Sequence, residues 1–133
     1  MNKITVVGVH ALIKKGDHYL ATRRALLDDY MPGYWDIPGG TVEFGEEITV
    51  ALKWEIREEV GLKVNIQKPI FACNYLSGEY RFQFMIIYIC EYISGEPKLS
   101  HDHDEYRWVN LNQLGKLKKI GFLKQLYLEL KKY

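Results

Sequence analysis

Glu55, Glu58 and Glu59 stand at spacing i, i+3, i+4 in the segment KWEIREEVGL, residues 53–62. In a helix, a step of roughly 100° per residue sets Glu59 about 40° to one side of Glu55 and Glu58 about 60° to the other. Three carboxylates then share one helix edge, where like charges at i+4 repel. Ile48, Leu52 and Ile56 form the adjoining apolar stripe, so the acids border the buried face and lose part of their hydration. Such an edge opposes its own helix unless a cation joins it. Mg²⁺ and Mn²⁺ are hard ions that prefer oxygen ligands, and Mg²⁺ keeps waters and shares its shell with substrate phosphates. The pattern therefore fits an open divalent-metal site. On the helix alone, a solvated acidic face is an equal reading, because glutamate is a good helix former.

The elements that must position these acids are legible on both sides. Residues 3–13 (KITVVGVHALI) predict a strand, KKGD at 14–17 a turn, and HYLATRR at 18–24 a second strand. Residues 25–36 read as irregular, with Pro32 and Gly33 as breakers, and Pro38-Gly39-Gly40 and a short TVEF segment follow. A helix is expected from Glu46 or Glu47 to Gly61, a glycine placed to end it. VNIQKPIFACNYL and YRFQFMIIYICEYI, on either side of SGE, predict a long antiparallel hairpin. YRWVNL at 106–111 reads as a last strand, and Ile120, Leu123, Leu126, Tyr127 and Leu130 mark the inner face of a C-terminal helix. Strands in hairpins with two helices indicate a mixed α/β or α+β sandwich.

The 133 residues, 47% hydrophobic and 26% charged, suit one globular domain spanning 1–133. A net charge of +1 excludes a global pull toward DNA, RNA or anionic membranes, so any polyanion is met by a local patch. Cys73 and Cys90 form neither a CxxC motif nor a disulfide framework and read as buried reduced thiols. The apolar run from Ile4 to Ile13 is too short to span a bilayer. A cytoplasmic protein is expected.

Residues 40–62, GTVEFGEEITVALKWEIREEVGL, closely resemble the Nudix box of the Nudix hydrolases, the MutT-like family. ATRRA at 21–25 looks like the family's second strand, GYWDIPGGTVEFGE at 33–46 its approach to the loop, and DHDEYRWVNLNQL at 102–114 its late strand-and-helix segment. Almost the whole chain is covered. The resemblance implies an α/β/α sandwich with a mixed sheet between helices, which agrees with the elements above. It also implies hydrolysis, aided by Mg²⁺ or Mn²⁺, of a nucleoside diphosphate linked to a further moiety. A nucleoside triphosphate, or an oxidised or modified relative, is the foremost substrate class. The alternative is a catalytically attenuated module that binds nucleotides or ADP-ribose. A small-molecule partner is expected, with no DNA or membrane, in a monomer or homodimer.

Matched by position, Glu55 and Glu59 look like metal ligands, with Glu58 ligating directly or through water and the Gly39 carbonyl contributing. Glu55 is the first candidate for the base, with Asp102 and Asp104 as alternatives outside the box. Gly39 and Gly40 lack a Cβ and would let the backbone approach closely. Glu46, grouped with the catalytic acids, is expected to orient or cap the loop–helix junction. Arg23 and Arg24 end the second strand, where relatives place a cation near phosphate. Alternation sends them to opposite faces, so one of the two can serve, and Arg23 matches better.

Tyr34 and Trp35 are equally candidates to stack on a base and to cover the core. His101 and His103 read as an exposed polar loop among acids, and His10 as a plain strand histidine. The C-terminal lysines read as a solvated helix face. One position departs from the pattern. Before Glu55 the box normally has Arg, and here it is Trp54, which cannot pair with a carboxylate as an arginine would.

Overall fold

The computed structural model describes residues 2–27 and 30–133. Strand β1 (Ile4–Lys15) lies at the centre, rich in β-branched residues and buried from Gly8 to Ile13. It pairs antiparallel with β2 (His18–Arg24) and parallel with β6 (Arg81–Ser94), which forms an antiparallel hairpin with β5 (Lys63–Ser77). The sheet is therefore mixed, in the order β3-β2-β1-β6-β5, with β3 being Trp35–Asp36. β4 (Gly39–Thr41) adds to β1, and β7 (His103–Val109) to β2.

Alternation along β1 divides the core in two. Val9, Ala11 and Ile13 pack against Ala51, Leu52, Ile56 and Val60 of α1 (Ile48–Glu59) and its C-terminal cap. Leu12 faces the other way, toward Leu114 of α2 (Leu111–Lys116) and Phe122, Leu123 and Leu126 of α3 (Gly121–Leu130). Helices thus cover both faces, the α/β/α sandwich expected from the resemblance. No helix among the described residues is long and apolar enough to cross a membrane.

Local chemistry sets the helix ends. The Glu47 carboxylate accepts the Thr49 N–H at 3.2 Å and opens α1. Asn110 and Gln113 accept each other's backbone N–H at 2.8 Å, a capping box that opens α2. The Lys119 ammonium donates to the carbonyls of Leu114, Gly115 and Leu117 and closes that helix.

Several sequence expectations need correction. Capping of α1 falls to Glu47; Glu46 instead accepts the Glu43 N–H at 3.0 Å and closes the preceding turn. The segment read as irregular ends earlier, since Trp35 and Asp36 pair with Arg23 and Thr22; its residues 28 and 29 lie outside the described residues. The last strand begins at His103, three residues before the expected Tyr106, because β2 offers partners that far: Arg24 pairs with His103 and Arg23 with Glu105. His103 is consequently buried rather than part of an exposed loop.

Candidate active site

The acid edge of α1 faces the loop and strand that precede it. The Gly39 N–H donates to Glu59 Oε1 at 3.1 Å. A Cβ on Gly40 would stand 2.7 Å from both Glu55 carboxylate oxygens, so only glycine admits that acid. Glu55 and Glu59 are half-buried and Glu58 is exposed. Burial raises the Glu55 carboxyl above its ordinary range, and the negative charges of Glu58, Glu46, Asp102 and Glu43 add to the rise. Burial pushes Glu59 further, to about 8, with Asp36, Glu55 and Asp102 reinforcing it against the Gly39 hydrogen bond.

Among the described residues no ion pair reaches Glu55, Glu58 or Glu59. Nor do three His, Cys, Asp or Glu side chains converge there as a closed metal cage. The donors present are hard carboxylate oxygens that share one helix edge. That chemistry fits a hard divalent cation in an open site completed by waters and phosphate.

Beside this edge lies a cavity of about 390 Å³, entered past Gly39, Gly40 and Glu59. It occupies the face of β1 that carries Gly8 and His10 and is walled by Arg24, Asp36, Phe122 and His103. The His10 ring packs against Phe122 with centroids 4.5 Å apart. Burial first, then the nearby His103 and Arg24, lower His10 to about 3, so its imidazole is neutral. Asp36, buried, is raised to about 7 by desolvation, although the Ile37 N–H at 2.7 Å and the Arg24 guanidinium at 3.6 Å pull the other way. Tyr30 and Tyr75 line the same space and hydrogen-bond to each other, and burial takes the Tyr75 phenol to about 12.

The two arginines are placed opposite to the sequence preference. Arg23 Nε donates to Asp104 Oδ1 at 2.8 Å, and Glu105 stands 3.5 Å away, which holds Arg23 against β7 and off the cavity wall. Asp104 is held below the usual carboxylate range by that bond. Of the two, Arg24 lines the cavity, its Nε donating to the Tyr30 carbonyl at 2.6 Å. A register irregularity between Arg23 and Arg24 accompanies this division.

Asp102 is exposed and near enough to Glu55 and Glu59 to raise both. Tyr34 lies under the Lys118 ammonium, and Trp35 is a core residue beneath Arg107. Tyr30, Tyr75 and Phe122 are the aromatics on the cavity. Sequence reasoning passed over His10, Asp36, His103 and these three. Strand alternation was a usable signal for His10, since Val9 and Ala11 belong to the opposite core. Trp54 lines a groove with Lys53, Ile56 and Leu62, its ring 5.7 Å from the Arg57 guanidinium.

The profile of the NUDIX domain matches residues 3–130. The chain belongs to the Nudix family. It is 33% identical over 113 residues to the nucleoside triphosphatase NudI of Klebsiella pneumoniae subsp. pneumoniae, covering 77% of this chain and 80% of that one. The crystal structure of a MutT protein from Methanosarcina mazei Go1 superposes with a TM-score of 0.84 at 25% identity, covering 100% of this chain and 99% of that one. A MutT Nudix hydrolase from Burkholderia pseudomallei, at 22% identity, shares the fold with a TM-score of 0.78 over 96% and 98% of the two chains. This Nudix protein is a hydrolase of phosphoric anhydride bonds.

Proposed function

We propose that this Nudix hydrolase is a divalent-metal-dependent pyrophosphohydrolase of nucleoside triphosphates or their oxidised or modified relatives. The observation that carries the reading is the uncompensated edge of Glu55, Glu58 and Glu59 at the mouth of a cavity walled by a cation and aromatics. The name printed for the K. pneumoniae relative, a nucleoside triphosphatase, agrees with it.

In this reading Glu55, Glu59 and Glu58, with the Gly39 carbonyl, hold Mg²⁺ or Mn²⁺. Such an ion, when bound, neutralises phosphate charge and acidifies water. The chain's own residues do the rest. The Gly39 N–H fixes one Glu59 oxygen, so the acid presents its other oxygen outward. Arg24, braced by Asp36 and the Tyr30 carbonyl, sets a fixed positive charge where a substrate phosphate enters. Water attacks phosphorus, the bridging oxygen leaves with the departing phosphate, and Glu55 takes the water's proton. Asp102 is the second choice for this base. Tyr30, Tyr75 and Phe122 give the nucleobase flat surfaces to stack on.

The single domain works in the cytoplasm, where Cys73 and Cys90 stay as free thiols. Phosphate and pyrophosphate release from a panel of nucleotides, with Mg²⁺ or Mn²⁺ and with chelator, tests the reading. Metal-dependent turnover that Glu59→Gln abolishes is expected. No turnover of any nucleotide with either metal would overturn it.

A further inference from the structure

The end of the cavity away from the acid edge has its own chemistry. Cross-strand pairing sets Gly39 opposite His10 and Gln83 beside Val6. Those levels are four residues apart along β1, roughly 13 Å at the usual rise of a strand. That is the reach from a phosphate at the acids to the far edge of a nucleobase. The floor between is open because position 8 is glycine. A Cβ there would come within 2.9 Å of Met85 Sδ and 3.3 Å of Gln83 Nε2.

At the far end stand Ser77, Arg81 and Gln83. Arg81 Nε donates to Gln83 Oε1 at 3.3 Å. A guanidinium has only donors, so this contact fixes the amide with its oxygen toward Arg81. The NH₂ then turns toward Met85 Sδ, 3.5 Å away, and the cavity. Sulfur is a weak acceptor that leaves the amide donor wanting a better one. The acids lining the cavity among the described residues, Asp36 and Glu59, both lie at the opposite end. This end therefore offers an excess of donors.

We infer that Gln83 and Arg81 read the nucleobase and select bases with a carbonyl oxygen at pyrimidine C4 or purine C6 (uracil, thymine, guanine or hypoxanthine) over cytosine and adenine, which carry an amine there. The inference rests on the nucleotide reading above and adds the substrate class. A carbonyl oxygen accepts from the Gln83 amide, whereas an exocyclic amine meets it donor to donor and leaves both unpaired.

The test compares non-hydrolysable imido analogues of UTP and CTP, which differ at the C4 group and in whether N3 carries a proton, by calorimetry in Mg²⁺. An inosine and adenosine pair serves as the purine counterpart. Binding of the carbonyl member is expected to be tighter by about tenfold in each pair, as one correct hydrogen bond against an unpaired donor gives. Gln83→Glu keeps an acceptor for Arg81 but offers no donor and should erase or invert the preference. Gln83→Met, similar in size, should also erase it and replaces the first variant if that one misfolds. Equal affinities within a pair, no binding of any analogue, or a preference unchanged in the variants would overturn the inference. UTP hydrolysis, assayed in parallel, reports on the other reading. Discrimination in binding without turnover removes the proposal of triphosphate hydrolysis and leaves base selection standing.

Discussion

Replacing Gly40 by alanine probes how closely the acid edge is held against the backbone that precedes its helix. The new Cβ would stand 2.7 Å from both oxygens of Glu55, where ordinary contact begins at 3.4 Å. The carboxylate must therefore retreat by about 0.7 Å or more, toward the solvent side of a half-buried site. What yields is the end of a flexible side chain, so the fold should lose about 1 kcal/mol or less, the low end of overpacking costs. Activity should suffer more, because a misplacement of about 1 Å in a reacting constellation costs on the order of 10²-fold.

Gly39→Ala is the contrasting control. Its Cβ would collide with the Val9 carbonyl oxygen and the His10 ring, with Cδ2 at 2.5 Å. β1 is buried and central and cannot move aside, so this variant should lose about 3 kcal/mol or fail to fold. Urea unfolding and kcat/KM on a hydrolysed nucleotide, measured on both variants, separate the two effects. A Gly40→Ala enzyme that keeps kcat/KM within about twofold of the parent would refute the reasoning, since Glu55 would then not need its observed position.

Other outcomes follow from the cavity wall. His10 is lowered to about 3 from an ordinary 6.5, so the unfolded chain binds a proton that the folded one refuses between those values. The stability this gives is complete above pH 6.5 and is lost as pH falls; between pH 7 and 4 the loss is on the order of 3 kcal/mol. His10→Gln should remove that slope, and denaturant midpoints at the two pH values that fall in parallel for both proteins would contradict it. Arg24→Gln should raise KM by about tenfold or more as a phosphate-facing cation is lost, while Arg23→Gln leaves KM nearly unchanged. Equal effects at the two positions would show that the division between them is wrong. Trp54→Arg places a guanidinium i, i+4 from Glu58 and should lower the Mg²⁺ concentration giving half-maximal rate. A lower rate at the same metal requirement would count against it.

What the sequence made legible was local. The apolar stripe Ile48, Leu52 and Ile56 fixed the box helix and its acid edge, because helical spacing alone decides which side chains neighbour each other. The hairpin and the C-terminal helix were equally readable from alternation and leucine spacing. The cavity was not, because it is made by pairing between distant strands. Arg24 and Asp36 meet only after β2 pairs with β3, and Tyr75 and Gln83 reach the space only through the parallel joining of β1 to β6. The placement of Arg23 off the cavity was hidden for a related reason. Alternation showed that the two arginines diverge, but the acids that hold Arg23 lie on β7, 81 and 82 residues onward.

The account depends on a cation relieving the repulsion among Glu55, Glu58 and Glu59. Calorimetric titration of Mg²⁺ and Mn²⁺ into the protein, with and without a non-hydrolysable nucleotide, measures this directly, with Glu59→Gln as the paired variant. Saturable uptake that strengthens with nucleotide and weakens by about tenfold or more in the variant is expected. Heats at the level of dilution for both ions, with and without nucleotide, would contradict the account.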